Sequence, residues 1–321
     1  MSNDVFVVVE HVLGKVSDIS YGMLAAARPV ADATGGEVVA VLLGNDAAGL
    51  AGDLAADRVL YVDHPLLAEF TPDGYQQAVA ALVGAEQPRL VMLGDTTMGA
   101  DVAGVVAARL GLPLVSYCRG VNADGGELIF TSQICGGKIM AEGELPGPTA
   151  LVTMIPADLQ PDAGRSDSAP PVTSVPAPDL AEPRARHLRY IEPEVGDVDI
   201  TRADVLVAVG RGVQTEDNIE LAEELAEALG GAVCASRPVV DQGWLGTDRL
   251  VGKSGKTVSP KVYIALGISG APEHTEAITS SDTIIAVNTD PAAPIFDIAQ
   301  YGVEMDMLDL LEVLNEKLQE E

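Results

Sequence analysis

Cysteine is scarce in this sequence: Cys118, Cys135 and Cys234 stand far apart and form no CxxC pair. That argues against zinc, an iron-sulfur cluster or a thioredoxin-like centre, and leaves the thiols as small buried hydrophobes. Long apolar runs are missing as well. None reaches the roughly eighteen residues needed to cross a bilayer, so no membrane insertion is expected. Asn3 and Asp4 stand where a signal peptide would carry basic residues, and a cytoplasmic location is expected. Positive charge is the third shortage, with 19 Lys and Arg against 48 Asp and Glu and a formal charge of -29. So few cations cannot line a phosphate backbone, and a nucleic-acid partner is not expected. HExxH, GxSxG and a carboxylate pair beside a histidine are all absent, which leaves no metal site and no hydrolytic nucleophile. His11, His64 and His187 are read as structural or surface residues.

What is present is ample apolar material, 47% of 321 residues, enough for two cores. In the first half, strand patterns at residues 5–10, 38–43, 58–62 and 89–94 alternate with helical patterns at 19–33, 47–54, 71–83 and 98–110. This predicts a parallel α/β sheet. After Pro113 shorter segments at 128–134, 138–144 and 149–155, with Gly125-Gly126 and Gly136-Gly137 as turns, predict an antiparallel extension. Eight prolines between Pro156 and Pro193 exclude a helix and predict an extended surface segment. The domain boundary is placed at its end, giving residues 1–195 and 196–321. From Asp204 the alternation resumes in a doubly wound pattern: strands 205–209, 232–234, 261–266 and 283–287, helices 217–229 and 308–318, and a short helix between the last two strands. Thr215 is placed to cap the helix from Asp217, whose glutamates form a solvated face.

The strands of this second region end in Gly210-Arg211-Gly212, Ala235-Ser236-Arg237, Gly267-Ile268-Ser269-Gly270 and Asn288-Thr289-Asp290. A parallel sheet would gather these patches along one edge, where a ligand should sit. Six of the 19 basic residues (Arg211, Arg237, Arg249, Lys253, Lys256 and Lys261) lie between positions 211 and 261, which points to a small anion. Arg249 and Lys261 are better read as ordinary surface cations. Lysine is the rarer cation, 6 against 13 arginines, which suits a high-salt cytoplasm. Residues 210–215 begin like GxGxxG, but Thr215 replaces the third glycine and no acid ends the next strand, so a usual NAD site is not expected. Gly255-Lys256-Thr257 lacks the first glycine of a Walker loop. His274, four residues beyond Gly270, is a candidate contact.

The succession VGRGVQTEDN, CASRPVVDQGW, VGKSGKTVSP, YIALGISGAPEH and IIAVNTDPAAPIFDIAQYG resembles the α subunit of the electron transfer flavoproteins, and VVVEHVLGKVS with GGEVVAVLLG is similar to that family's first domain. The resemblance implies FAD in the second domain and a heterodimer with a β subunit. It implies Arg211 and the turn Ser269, Gly270, Ala271, Pro272, Glu273 and His274 along the pyrophosphate and ribityl side. Asn288, Asp306 and Met307 would lie toward the adenosine, and Ser236 on the second strand. Val251, Gly252, Lys253 and Ser254 would form the flavin loop, with Ser254 near N5, Arg237 over the isoalloxazine and His274 at the pyrimidine oxygen. A reduced flavin gathers negative charge around N1 and O2, which a guanidinium and an imidazole would steady.

The function implied is an electron carrier, with no substrate chemistry of its own. It would take electrons from flavin dehydrogenases of the acyl-CoA dehydrogenase type and pass them to a membrane quinone oxidoreductase. A bifurcating or nitrogen-fixation type using NADH through the partner stays open, as does a flavin-free scaffold. Two departures from the family pattern, Lys253 for glutamine and Pro272-Glu273 for Ile-Gln, set opposite charges at the site. Lys253 should raise the flavin potential, and Glu273 should lower it or hold His274 protonated.

Overall fold

The computed structural model describes residues 2–135, 137–156, 159–190 and 198–319. The chain divides into two compact units, one running to Ile134 with Ile139–Arg189, the other Cys135–Lys138 with the chain from Tyr190 onward. The expected boundary after residue 195 lies outside the described residues.

The first unit runs β1 (Val5–Val8), β2 (His11–Val12), β3 (Lys15–Val16), α1 (Asp18–Thr34), β4 (Val38–Gly44), β5 (Arg58–Asp63), α2 (Pro72–Glu86), β6 (Leu90–Gly94), α3 (Thr97–Leu110), β7 (Leu114–Asp124), β8 (Glu127–Ile134), β9 (Ile139–Leu145), β10 (Ala150–Met154) and β11 (Val172–Val175). β2 and β3 form a small hairpin, and the remaining strands form one sheet in the order β11-β5-β4-β1-β6-β10-β7-β8-β9. Pairing is parallel from β11 to β7 and antiparallel across β7, β8 and β9. Strands buried on both faces read as unbroken apolar runs. Val5, Val7 and Val9 enter one core, Phe6 and Val8 the other.

Four details differ from the sequence expectation. The helix expected at 47–54 is a single 3-10 turn at Ala48–Ala51, because Gly49 and Gly52 weaken a helix that would bury little beyond Ala51 and Leu54. Residues 149–155 do not belong to the antiparallel extension: β10 inserts between β6 and β7, parallel to both, with all five residues buried. β7 was hidden by Tyr117 at φ 58 and a register shift between Cys118 and Gly120, which break its alternation. The proline-rich segment is extended, and it also contributes β11, an edge strand between Pro171 and Pro176.

The second unit runs β12 (Val205–Val209), α4 (Ile219–Ala228), β13 (Ala232–Ala235), α5 (Arg237–Asp241), β14 (Val262–Leu266), α6 (Pro272–Thr275), β15 (Thr283–Asn288), β16 (Tyr301–Glu304) and α7 (Met307–Gln319). The sheet is wholly parallel, in the order β13-β12-β14-β15-β16. Leu206, Ala208, Tyr263 and Ala265 face one buried layer; Val207, Val209 and Leu266 face the other, under α4 and α7. The chain is therefore an α/β protein with a large mixed sheet and a separate doubly wound one. Thr215 does not cap α4. That helix starts at Ile219, and Asn218 at its entrance donates from Nδ2 to the Val213 carbonyl at 2.8 Å. Among the described residues no helix is long and apolar enough to cross a membrane.

Candidate functional site

In the second sheet chain order reverses between β12 and β14, and ligands of open α/β sheets bind outside the carboxyl ends at such a switch point. Two glycine-bearing loops meet there. The Gly212 N–H donates to the Gly267 carbonyl at 3.2 Å, and a Cβ on Gly210 would stand 2.3 Å from that same oxygen. Gly267 has φ 63, and a Cβ on it would come within 2.6 Å of Gly212 Cα. No other residue type allows the two backbones to come so close. Gly270 is similarly confined: a Cβ there would lie 2.2 Å from the Ile295 nitrogen.

Around this glycine floor stand the groups that could hold an anion. Arg211 is exposed and has no ion-pair partner among the described residues. Ser236 ends β13 with 7% exposure, and its hydroxyl has no hydrogen-bond partner among the described residues. Arg237 is exposed and touches Asp241 at 3.3 Å. The other cations of the cluster serve the fold: Arg249 donates to the Val233 carbonyl at 2.9 Å, Lys261 pairs with Asp204 at 2.9 Å, and Lys256 lies 3.7 Å from Asp199. Surface pairs of this kind contribute about 0–1 kcal/mol.

The loop 251–254 is docked on the turn that follows β14. The Lys253 N–H donates to the Glu273 carbonyl at 2.7 Å, and His274 Nδ1 lies 3.1 Å from the Val251 carbonyl. The structure thus brings Val251, Gly252 and Lys253 against Glu273 and His274, although some twenty positions separate them in sequence. Ser254, Ser269, Ala271, Pro272 and Glu273 are exposed. Asn288 is spent on the loops, donating to the Ile268 carbonyl at 2.9 Å and accepting from Asp290 N–H at 2.9 Å. Asp306 accepts from Leu308 N–H at 2.9 Å, and Met307 is buried with its sulfur against Gly267.

His274 differs from the expectation for its side chain. The ring is turned inward with 6% exposure, and its nitrogens meet Tyr263 Oη at 2.9 Å and the Val251 carbonyl. Burial lowers its pKa to about 4, so Glu273 does not hold it protonated. Tyr263 was missed by sequence reasoning. The signal was available: in VYIAL it is the one side chain with a polar tip, at an inward-facing position. No cluster of His, Cys, Asp and Glu that could hold a metal occurs among the described residues.

A parallel five-stranded sheet whose switch point joins glycine loops to outward cations defines a doubly wound domain suited to a nucleotide-like anion. Residues 199–279 match the family model "Electron transfer flavoprotein FAD-binding domain", and residues 5–180 match "Electron transfer flavoprotein domain". The chain belongs to the electron transfer flavoprotein α-subunit family. It is 36% identical to the electron transfer flavoprotein subunit alpha of Thermoanaerobacterium thermosaccharolyticum, over 98% of this chain and 97% of that one. It is 37% identical to the FixB protein of Azotobacter vinelandii, over 97% and 90%. To the acryloyl-CoA reductase electron transfer subunit beta of Anaerotignum propionicum it is 31% identical, over 99% and 96%. Membership supports a flavin cofactor, and an α subunit implies a β-subunit partner.

Proposed function

We propose that the second unit binds FAD at the β12/β14 switch point and that the chain, with its β subunit, carries electrons from flavin dehydrogenases of the acyl-CoA dehydrogenase type to a membrane quinone oxidoreductase. The observation that carries this reading is the glycine contact between residues 210–212 and 267, with Arg211 free to meet an anion. The residues present fit the cofactor. Arg211 and the turn 269–274 would take the pyrophosphate side, Ser236 and Arg237 the β13 side, and residues 251–254 the flavin ring, with Asn288, Asp306 and Met307 shaping the remaining edge.

Bound FAD supplies a ring that accepts and releases single electrons. The chain's own work is to bind that ring, orient it and balance its charge. Arg211 and Arg237 give the edge positive charge in a chain whose formal charge is -29, so anion binding is local. Lys253 and Glu273 sit side by side through their backbone contact, so their charges partly offset each other. The donor class draws support from the relative that serves an acryloyl-CoA reductase. The work takes place in the cytoplasm, by brief contacts with donor and acceptor.

Titrating the purified heterodimer with FAD tests the reading: one equivalent should bind and turn the protein yellow. A preparation that stays colourless after added FAD would falsify it and leave a scaffold. Mixing the loaded complex with NADH separates the carrier from the bifurcating type. No bleaching is expected; rapid bleaching would move electron entry to the partner subunit.

A further inference from the structure

We propose that Tyr263 and His274 form a buried clamp that fixes the backbone of the loop 251–254, making His274 a positioning residue that acts on the flavin site through the Val251 carbonyl. The inference rests on the function proposed above. A carbonyl oxygen only accepts, so the 3.1 Å contact to Val251 puts the ring proton on Nδ1. A desolvated ring stays neutral, so Nε2 is an acceptor and Tyr263 Oη must donate to it at 2.9 Å. Behind the phenol lies Cys234 Sγ, 4.0 Å from Tyr263 Oη, a thiol that burial keeps protonated. Donation therefore runs one way, from Cys234 on β13 through Tyr263 on β14 to His274 on α6, and ends on Val251.

The clamp is reinforced on its solvent side. Lys253 N–H donates to the Glu273 carbonyl at 2.7 Å, and Gly252 adopts φ 143, where a Cβ would stand 3.1 Å from that same carbonyl. Pro272, which has no N–H to satisfy, starts the turn that presents Glu273 and His274 to the loop. Loop and turn are thus registered from the sheet core outward. The site would be preorganised before any ligand arrives, which reduces the ordering cost of binding. Both imidazole nitrogens are spent on the protein, which leaves the ring no donor for a ligand while the clamp is closed.

Hydrogen exchange of the amides in residues 251–256, on the full chain in its complex without FAD, tests the clamp. All of these amides except Ser254 make backbone hydrogen bonds, so their exchange reports the loop. Tyr263→Phe keeps ring and volume and should speed exchange there about tenfold, the loss of one buried hydrogen bond. His274→Leu should speed it more. His274→Asn, whose Nδ2 can replace Nδ1 as donor to Val251, should restore most of the protection. FAD dissociation constants should follow the same order. Unchanged loop exchange in Tyr263→Phe and His274→Leu, with His274→Asn losing as much FAD affinity as His274→Leu, would mean that the imidazole touches the ligand directly and would overturn the clamp. If His274→Leu does not fold, Tyr263→Phe against His274→Asn gives the same decision. Failure of the unsubstituted complex to bind FAD would defeat the proposed function, while the exchange series would still read the clamp.

Discussion

The two sheets of this chain treat their switch points in opposite ways. In the first unit chain order reverses between β1 and β6, and the chain's own Glu10 fills the crevice. Its carboxylate accepts from Thr96 Oγ1 at 2.8 and 2.9 Å and lies against two glycines: a Cβ on Gly94 or Gly99 would come within 2.7 or 3.0 Å of Oε1. In the second unit no side chain plugs the edge; glycine meets glycine, and Arg211 and Arg237 stand outward. A buried acid excludes an anion, whereas bare backbone flanked by guanidinium groups invites one. The same parallel architecture is therefore closed by one acid and opened by a few glycines and arginines. Fold alone does not assign the function; the edge does.

The largest effect should come from closing the open edge. Gly267→Val adds a side chain at φ 63, where its Cβ would lie 2.6 Å from Gly212 Cα, and should abolish FAD retention and cost more than about 2 kcal/mol in denaturant unfolding. Gly49→Val in the first unit, with open space at its Cβ, is the control and should retain FAD.

The buried titratable groups sharpen the contrast, with opposite signs. Burial raises Glu10 from 4.5 to about 7, so the folded state holds its proton more tightly than the unfolded chain. Its stabilising share is complete below pH 4.5 and is lost as pH rises through 7, a swing on the order of 3 kcal/mol. Glu10→Gln should flatten that loss in unfolding measured from pH 5 to 8. For His274, lowered from 6.5 to about 4, the unfolded chain binds the proton more tightly. Stability should therefore fall as pH drops from 6.5 to 4, again by about 3 kcal/mol, and His274→Asn should remove that slope. Unchanged slopes in either variant would show that these groups are not desolvated as described.

Smaller effects concern charge at the open edge. Lys253→Gln should lower the flavin reduction potential by tens of mV, read by redox titration; no change would mean that its charge is spent away from the ring. Smallest is the salt response. A chain with formal charge -29 should gain stability with added salt, and a melting temperature indifferent to salt would remove the high-salt reading.

Most of the second unit was legible in the sequence, because its strands are short apolar runs bounded by glycines: β12 falls on residues 205–209 as expected. The first unit was legible where helices and strands alternate. It was not where pairing partners decide: β10 and β11 are set by what they lie beside, and β7 carries a bulge. At the site, glycines and cations announced the edge, since both are local signals. The inward turn of His274 was not legible, because it depends on Tyr263, eleven positions upstream on the neighbouring strand. Glu10 went unnoticed for a similar reason: its burial follows from Gly94 and Gly99, distant residues that make room for it.

The most direct measurement is the FAD content of the purified complex across three chains: the unsubstituted chain, Gly267→Val and Glu10→Gln. The account predicts one FAD per complex in the first and third and none in the second. A colourless unsubstituted chain, or equal FAD in all three, would contradict the claim that the glycine and arginine edge of the second sheet holds the cofactor.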